Sequence, residues 1–174
     1  MAKTASTRAG ARPSRDTLLR IYLNDHLAGA TAGLALARRM ARSHRGQDEA
    51  DQLRRLADEI DEDRSALLRI MASLGITVRA YKVSAAWLGE KAGRLKFNGR
   101  LLARSPLSDL EELEILRLGV EGKAAGWRSL RTLADTDGRL DPGRLDDLIT
   151  RAQRQISELE QCRVRAADRL LNQP

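Results

Sequence analysis

Hydrophobic positions between residues 16 and 172 recur every three or four residues in four long stretches, the spacing that gathers them on one face of an α-helix. The first stretch runs from about Asp16 to Arg45, with Leu18, Tyr22, Leu23, Leu27, Ala32 and Leu36 on its stripe, Ser14 or Asp16 as cap and Gly46 as stop. The second, Asp48 to Leu74, carries Leu53, Leu56, Ile60, Asp63, Leu67, Ile70 and Leu74 and meets Gly75. A third opens at Ser105-Pro106 or at Ser108, which has capping-box spacing to Glu111, and continues through Leu113, Leu116, Val120, Lys123, Trp127 and Leu130. Asp141-Pro142 supplies a cap and a first-turn proline for the last, whose stripe is Ile149, Ala152, Ile156, Leu159, Arg163, Ala166 and Leu170.

Residues 76–106 break this rhythm. Apolar groups at Trp87, Leu88, Leu95 and Phe97 predict a short helix over about Ser84–Lys96 inside a crossover, with Asn98-Gly99 as a turn. Helices of nearly equal length, roughly 40 Å each at 1.5 Å per residue, predict one all-α domain over 16–172, a four-helix bundle with two short connections and one long crossover at 76–106. Residues 1–15 lack periodicity and read as a disordered basic tail.

Composition refines the picture modestly. With only 2 Trp, 2 Tyr and 1 Phe, the core must be built from Leu, Ala, Ile and Val. No apolar run approaches the roughly 18 residues of a membrane span, the N-terminus lacks the apolar segment of a secretory leader, and the lone Cys162 suits a reducing compartment, so a cytoplasmic protein is expected. The abundance of Ala, Arg and Gly points to a GC-rich bacterial genome.

The net charge of +7 is unevenly spread. Lys3, Arg8, Arg12 and Arg15 give the first 15 residues +4 without a single acid. Residues 76–106 set Arg79, Lys82, Lys91, Arg94, Lys96, Arg100 and Arg104 against Glu90, a net +6. Lys91, Arg94 and Lys96 would form a positive ridge for an anionic partner, and the tail has enough cations for sequence-independent DNA contact.

The seams carry the most distinctive feature, because each stripe contains an ionisable residue: Asp25, Asp63, Lys123 and Arg163 in turn. Asp63 and Lys123 fall at matching depths if the second and third helices run the same way, with Asp25 within about a turn. An unpaired charge inside a bundle is very costly, so these residues are expected either to form an ion cluster that fixes register or to make a small-ligand or proton-handling site, with Arg163, about two to three turns from the layer of the other three, either in that cluster or in a different contact. Gly29 and Gly33 on the first helix and Gly119, Gly122 and Gly126 on the third predict close backbone approach, between those two helices, at a subunit contact or around a flat ligand. Asp135-Thr136-Asp137-Gly138 reads as an inter-helix turn, and no phosphate loop, Ser-His-Asp set or Cys-x-x-Cys pair exists.

The segments IYLNDHLAGATAGLALARR and LADEIDEDRSALLRIMASLG resemble the first two helices of small bacterial members of the ferritin-like superfamily, and the resemblance extends in layout over residues 16–172. It implies a ferritin-like bundle. The di-iron proteins of that superfamily place a Glu on each of two helices and Glu-x-x-His on the other two. This chain has no Glu-x-x-His: its histidines are His26 and His44, and Gln161 stands near Glu158 and Glu160 where a histidine would be needed. Asp25, Glu59, Glu62, Asp63, Glu114, Glu121 and Glu158 remain as carboxylates that would have to hold Fe or Mn unaided. The expectation is therefore a metal-independent, non-enzymatic, self-associating structural or interaction protein without a cofactor, forming homo-oligomers. Its rivals are a carboxylate metal-binding oxidoreductase of the same fold and a non-specific DNA-binding protein that uses tail and crossover.

Overall fold

The computed structural model describes residues 13–43, 47–79 and 106–172. Four long helices make up almost all of it: α1 Arg15–Ser43, α2 Gln47–Ser73, α3 Pro106–Ala134 and α4 Pro142–Leu171. No strand occurs among the described residues. The predicted helix at 84–96, the ridge of Lys91, Arg94 and Lys96, His44, and the tail through Arg12 lie outside them.

Local chemistry sets the helix ends. Ser14 caps α1, its Oγ accepting from the Thr17 amide at 3.3 Å. After α2, Gly75 adopts φ +70°, a left-handed conformation that glycine takes without a Cβ penalty. The Ile76 amide then reaches back to the Met71 carbonyl at 2.8 Å and the Gly75 amide to Ala72 at 3.0 Å, closing the helix in a Schellman pattern. Asp141 caps α4 by accepting from the Arg144 amide at 3.1 Å, with Pro142 in the first turn. The predicted inter-helix turn at 135–138 is held by Arg139, which hydrogen-bonds Asp137 and keeps that carboxyl at about 2.

Cross-helix pairs fix directions. Thr31 with Arg64 and Arg38 with Asp61 make α1 and α2 antiparallel. Tyr22 with Ser129 and Arg39 with Glu112 do the same for α1 and α3, and Arg131 with Asp146 and Arg117 with Glu160 for α3 and α4. Helices α2 and α3 consequently run the same way, and the chain between them joins opposite ends of the bundle. Buried Asn24 secures the start of that connection, accepting from the Arg79 amide at 2.8 Å and donating to the Thr77 carbonyl at 3.3 Å. One apolar core, dominated by leucine and alanine from all four helices, runs through the middle.

Of the five helical glycines expected to permit close packing, one does so. A Cβ on Gly126 would lie 2.9 Å from the His26 ring, whereas Gly29, Gly119 and Gly122 face open space and a Cβ on Gly33 would lie 4.0 Å from Leu116. Gly126→Ala is expected to cost about 1–3 kcal/mol by forcing the His26 ring off its seat. Gly122→Ala should instead gain up to about 1 kcal/mol through helix propensity alone. Urea denaturation of the two variants checks both signs.

Deleting residues 1–12 should leave the melting temperature unchanged, because they have neither periodicity nor enough apolar groups to pack. Extending the deletion through Ser14 removes the α1 cap and should cost about 1 kcal/mol. Thermal scans of the two truncations read the difference.

Candidate functional site: a charged centre in the bundle

Midway along the bundle, three polar side chains meet where apolar ones would be expected. Asp63 of α2 is 1% exposed and Gln155 of α4 is 0% exposed, while Lys123 of α3 reaches in between them. Lys123 Nζ donates at 2.5 Å to Asp63 Oδ2 and at 2.5 Å to Gln155 Oε1. The Gln155 amide nitrogen donates onward to Glu59 Oε2 at 2.9 Å and to Asp63 Oδ2 at 3.3 Å. This orientation of the amide is the one that matches its oxygen to the ammonium and its nitrogen to the carboxylates.

Arg151, a turn before Gln155 on α4, completes the group. Its guanidinium pairs with Asp63 Oδ1 through one nitrogen and with Glu62 at 2.7 Å through the other. Arg154 holds Glu59 and Glu158, each at 2.8 Å. At the centre two carboxylates, Glu59 and Asp63, face two cations, Lys123 and Arg151, so the buried charge is balanced.

Protonation follows from these contacts. Burial pushes the Lys123 ammonium below its ordinary value, with Asp63 opposing that push. Burial alone would raise the Glu59 carboxyl. Hydrogen bonds from Gln155 and Arg154, with the charges of Arg154 and Arg151, outweigh it and hold the carboxyl below its ordinary value of 4.5.

The residues singled out on the stripes fall into three groups. Asp63 and Lys123 come together in the interior. Asp25 does not join them: it is exposed, and the buried polar residue of α1 is its neighbour Asn24. The reason is helix phase, since α1 turns Leu23, Leu27, Leu34 and Met40 inward, and Asp25 lies off that face. Arg163 also lies outside the centre, half-buried on the α3–α4 edge, where it pairs with Glu160 at 2.7 Å and approaches Glu114 at 3.9 Å. Arg151 and Gln155 are central residues that the stripes did not mark.

The carboxylates that would have held metal are dispersed or engaged. Glu114 faces Arg163, Glu121 faces Arg117 at 3.6 Å, and Glu158 faces Arg154. Among the described residues no three His, Cys, Asp or Glu side chains are grouped to hold a metal ion. His26 stands apart from the acids at the centre, its ring edge-on to Tyr22 with centroids 4.4 Å apart and against Gly126. Burial lowers its pKa, with Asp25 opposing. Cys162 is buried, and burial pushes its thiol up against the pull of Arg165, which disfavours the reactive thiolate.

Fold and site define an all-α four-helix bundle with an internally paired ionic centre, and no helix among its described residues is long and apolar enough to cross a membrane. No protein-family model, characterised protein or solved structure matches the chain.

Proposed function

We propose that this chain is a ferritin-like bundle that acts as a structural, self-associating interaction protein in the cytoplasm, with its centre closed by its own side chains. The observation that carries this reading is the Lys123 ammonium seated between Asp63 and Gln155. A hard divalent cation requires several free oxygen donors. Here an ammonium hydrogen-bonds Asp63 Oδ2 and a guanidinium stands in ion-pair contact with Oδ1, neither with a lone pair to offer, and Glu59 is already bound by Gln155 and Arg154. A metal would have to displace Lys123 before it met a donor set.

Support for a ferritin-like layout comes from α2 and α3 running the same way, each antiparallel to α1, with the long connection between them. Elemental analysis of protein purified without chelator, followed by Mn²⁺ and Fe²⁺ titration, tests the closed centre. The expected result is less than about 0.1 metal per chain at micromolar free metal, as befits carboxylates already paired with cations. Stoichiometric Fe or Mn would overturn the reading in favour of an oxidoreductase. Sedimentation equilibrium over a hundredfold concentration range tests self-association, and a monomer throughout would remove that part.

A second reading, non-specific binding of nucleic acid or an acidic partner, draws on one observation. The described helices are nearly neutral in sum, so the positive excess resides in residues 1–12 and 80–105. Duplex DNA titrated at about 50 and 200 mM salt separates the two, since phosphate-driven affinity falls steeply over that range. No binding at the lower salt eliminates it.

A further inference from the structure

The four edges of the bundle are not alike. Helix α1 packs closely along α2, and α3 along α4, so the molecule is built of two tight hairpins. The α1–α3 edge joins the hairpins by close contact: the His26 ring rests on Gly126, and Tyr22 Oη bonds Ser129 Oγ at 3.1 Å. The α2–α4 edge is different, because the two backbones scarcely approach each other and long charged side chains bridge them. Over residues 49–63 of α2, Glu49 pairs with Arg169 at 2.6 Å, Gln52 with Arg165 at 2.9 Å, Glu59 with Arg154, and Glu62 and Asp63 with Arg151.

We infer that the bundle opens along the α2–α4 edge, with the α1–α3 contact as hinge, so that the α1–α2 and α3–α4 hairpins swing apart as two intact bodies. Separating either hairpin into its helices exposes closely packed leucines and alanines, which water does not compensate. Opening the α2–α4 edge uncovers part of the shared apolar core as well, but the contacts that bridge the edge itself are carboxylates, guanidiniums and the Lys123 ammonium, and the hydration these regain offsets much of the attraction they lose. The half-exposed pairs of this edge contribute little to holding it shut in any case. Lys123 reaches Asp63 from α3, the opposite hairpin, so its bond to Asp63 breaks in the same movement. The inference rests on edge geometry and not on the functional reading. Metal uptake would sink that reading and leave the distances below to decide this one.

Two nitroxide pairs in a Cys162→Ala background test it by electron-electron double resonance. Arg55→Cys with Ser157→Cys spans the α2–α4 edge at one level, and Asp25→Cys with Ala125→Cys spans the α1–α3 edge. All four positions are exposed. In urea below the loss of helical circular dichroism, the 55–157 pair should gain a population longer by about one helix diameter, on the order of 10 Å, while the 25–125 pair stays constant. The Asp63→Leu/Lys123→Met double variant should cut that long population severalfold. The inference is overturned if both pairs lengthen only together with the loss of helix, if the 25–125 pair lengthens first, or if the apolar double variant leaves the long population unchanged. Should the double variant not fold, the two wild-type-core pairs still decide by their order.

Discussion

Asp63→Leu is expected to destabilise the bundle by about 3–5 kcal/mol, the cost of leaving buried charge without its counter-ion. The effect is large because Asp63 serves two cations: removing it leaves the Lys123 ammonium with the Gln155 carbonyl and no counter-charge in contact, leaves Arg151 with Glu62 alone, and takes an acceptor from the Gln155 amide. Lys123→Met should cost less, about 1–3 kcal/mol, because Asp63 keeps Arg151 while the Gln155 carbonyl loses its donor. Combining Asp63→Leu with Lys123→Met leaves Arg151 with its Glu62 bond and should recover a large part of the single-variant loss. Urea midpoints for the three variants measure the coupling directly. Costs that simply add would show that the aspartate and the lysine do not act as a unit.

The helices, their caps and the glycine stop after α2 were legible because each depends on residues close in sequence. Ser14, Asp141-Pro142 and Gly75 act where their neighbours say they should. The Asp63 and Lys123 positions were legible too, since each interrupts an apolar row that is otherwise regular. Phase was harder to read. On α4 the interior row is Leu145, Leu148, Ala152, Gln155, Leu159, Cys162 and Ala166, about one residue out of step with a row read through Ile149, Ile156 and Arg163.

Both rows on α4 share Ala152, Leu159 and Ala166, and isoleucines flank the true one, so hydrophobicity alone could not choose between them. Starting from Leu145 and Leu148 just after the cap would have brought Gln155 inside. Arg151 gave no signal of its own. It is a partly exposed arginine whose long stem carries the guanidinium to Asp63, and a contact of that kind depends on the distance between α2 and α4. The exposed Asp25 and the open faces of Gly29, Gly119 and Gly122 show the same limit from the other side: residue type named them, and only packing could place them.

Stability should depend on pH at both ends of the range, and the sign follows from the groups involved. Glu59 has a folded pKa held below 4.5, so it contributes stability that is fully present above that value and is lost as pH falls through the depressed folded value. Lys123, with a folded pKa below its ordinary 10.5, works in the same direction over a different window: the unfolded chain binds its proton more readily, so stability rises as pH climbs from the folded value toward 10.5. The urea midpoint is therefore expected to fall as pH drops below about 5 and to rise on the alkaline side, with a flat region between. The Asp63→Leu/Lys123→Met variant lacks the Lys123 ammonium and should show no alkaline gain, while the acid limb carried by Glu59 with Gln155 and Arg154 should persist. Denaturation curves for both proteins from pH 3 to 10.5 settle the matter. Identical profiles would show that the centre does not titrate with folding, and a wild-type midpoint that drops on the alkaline side would reverse the sign assigned to Lys123.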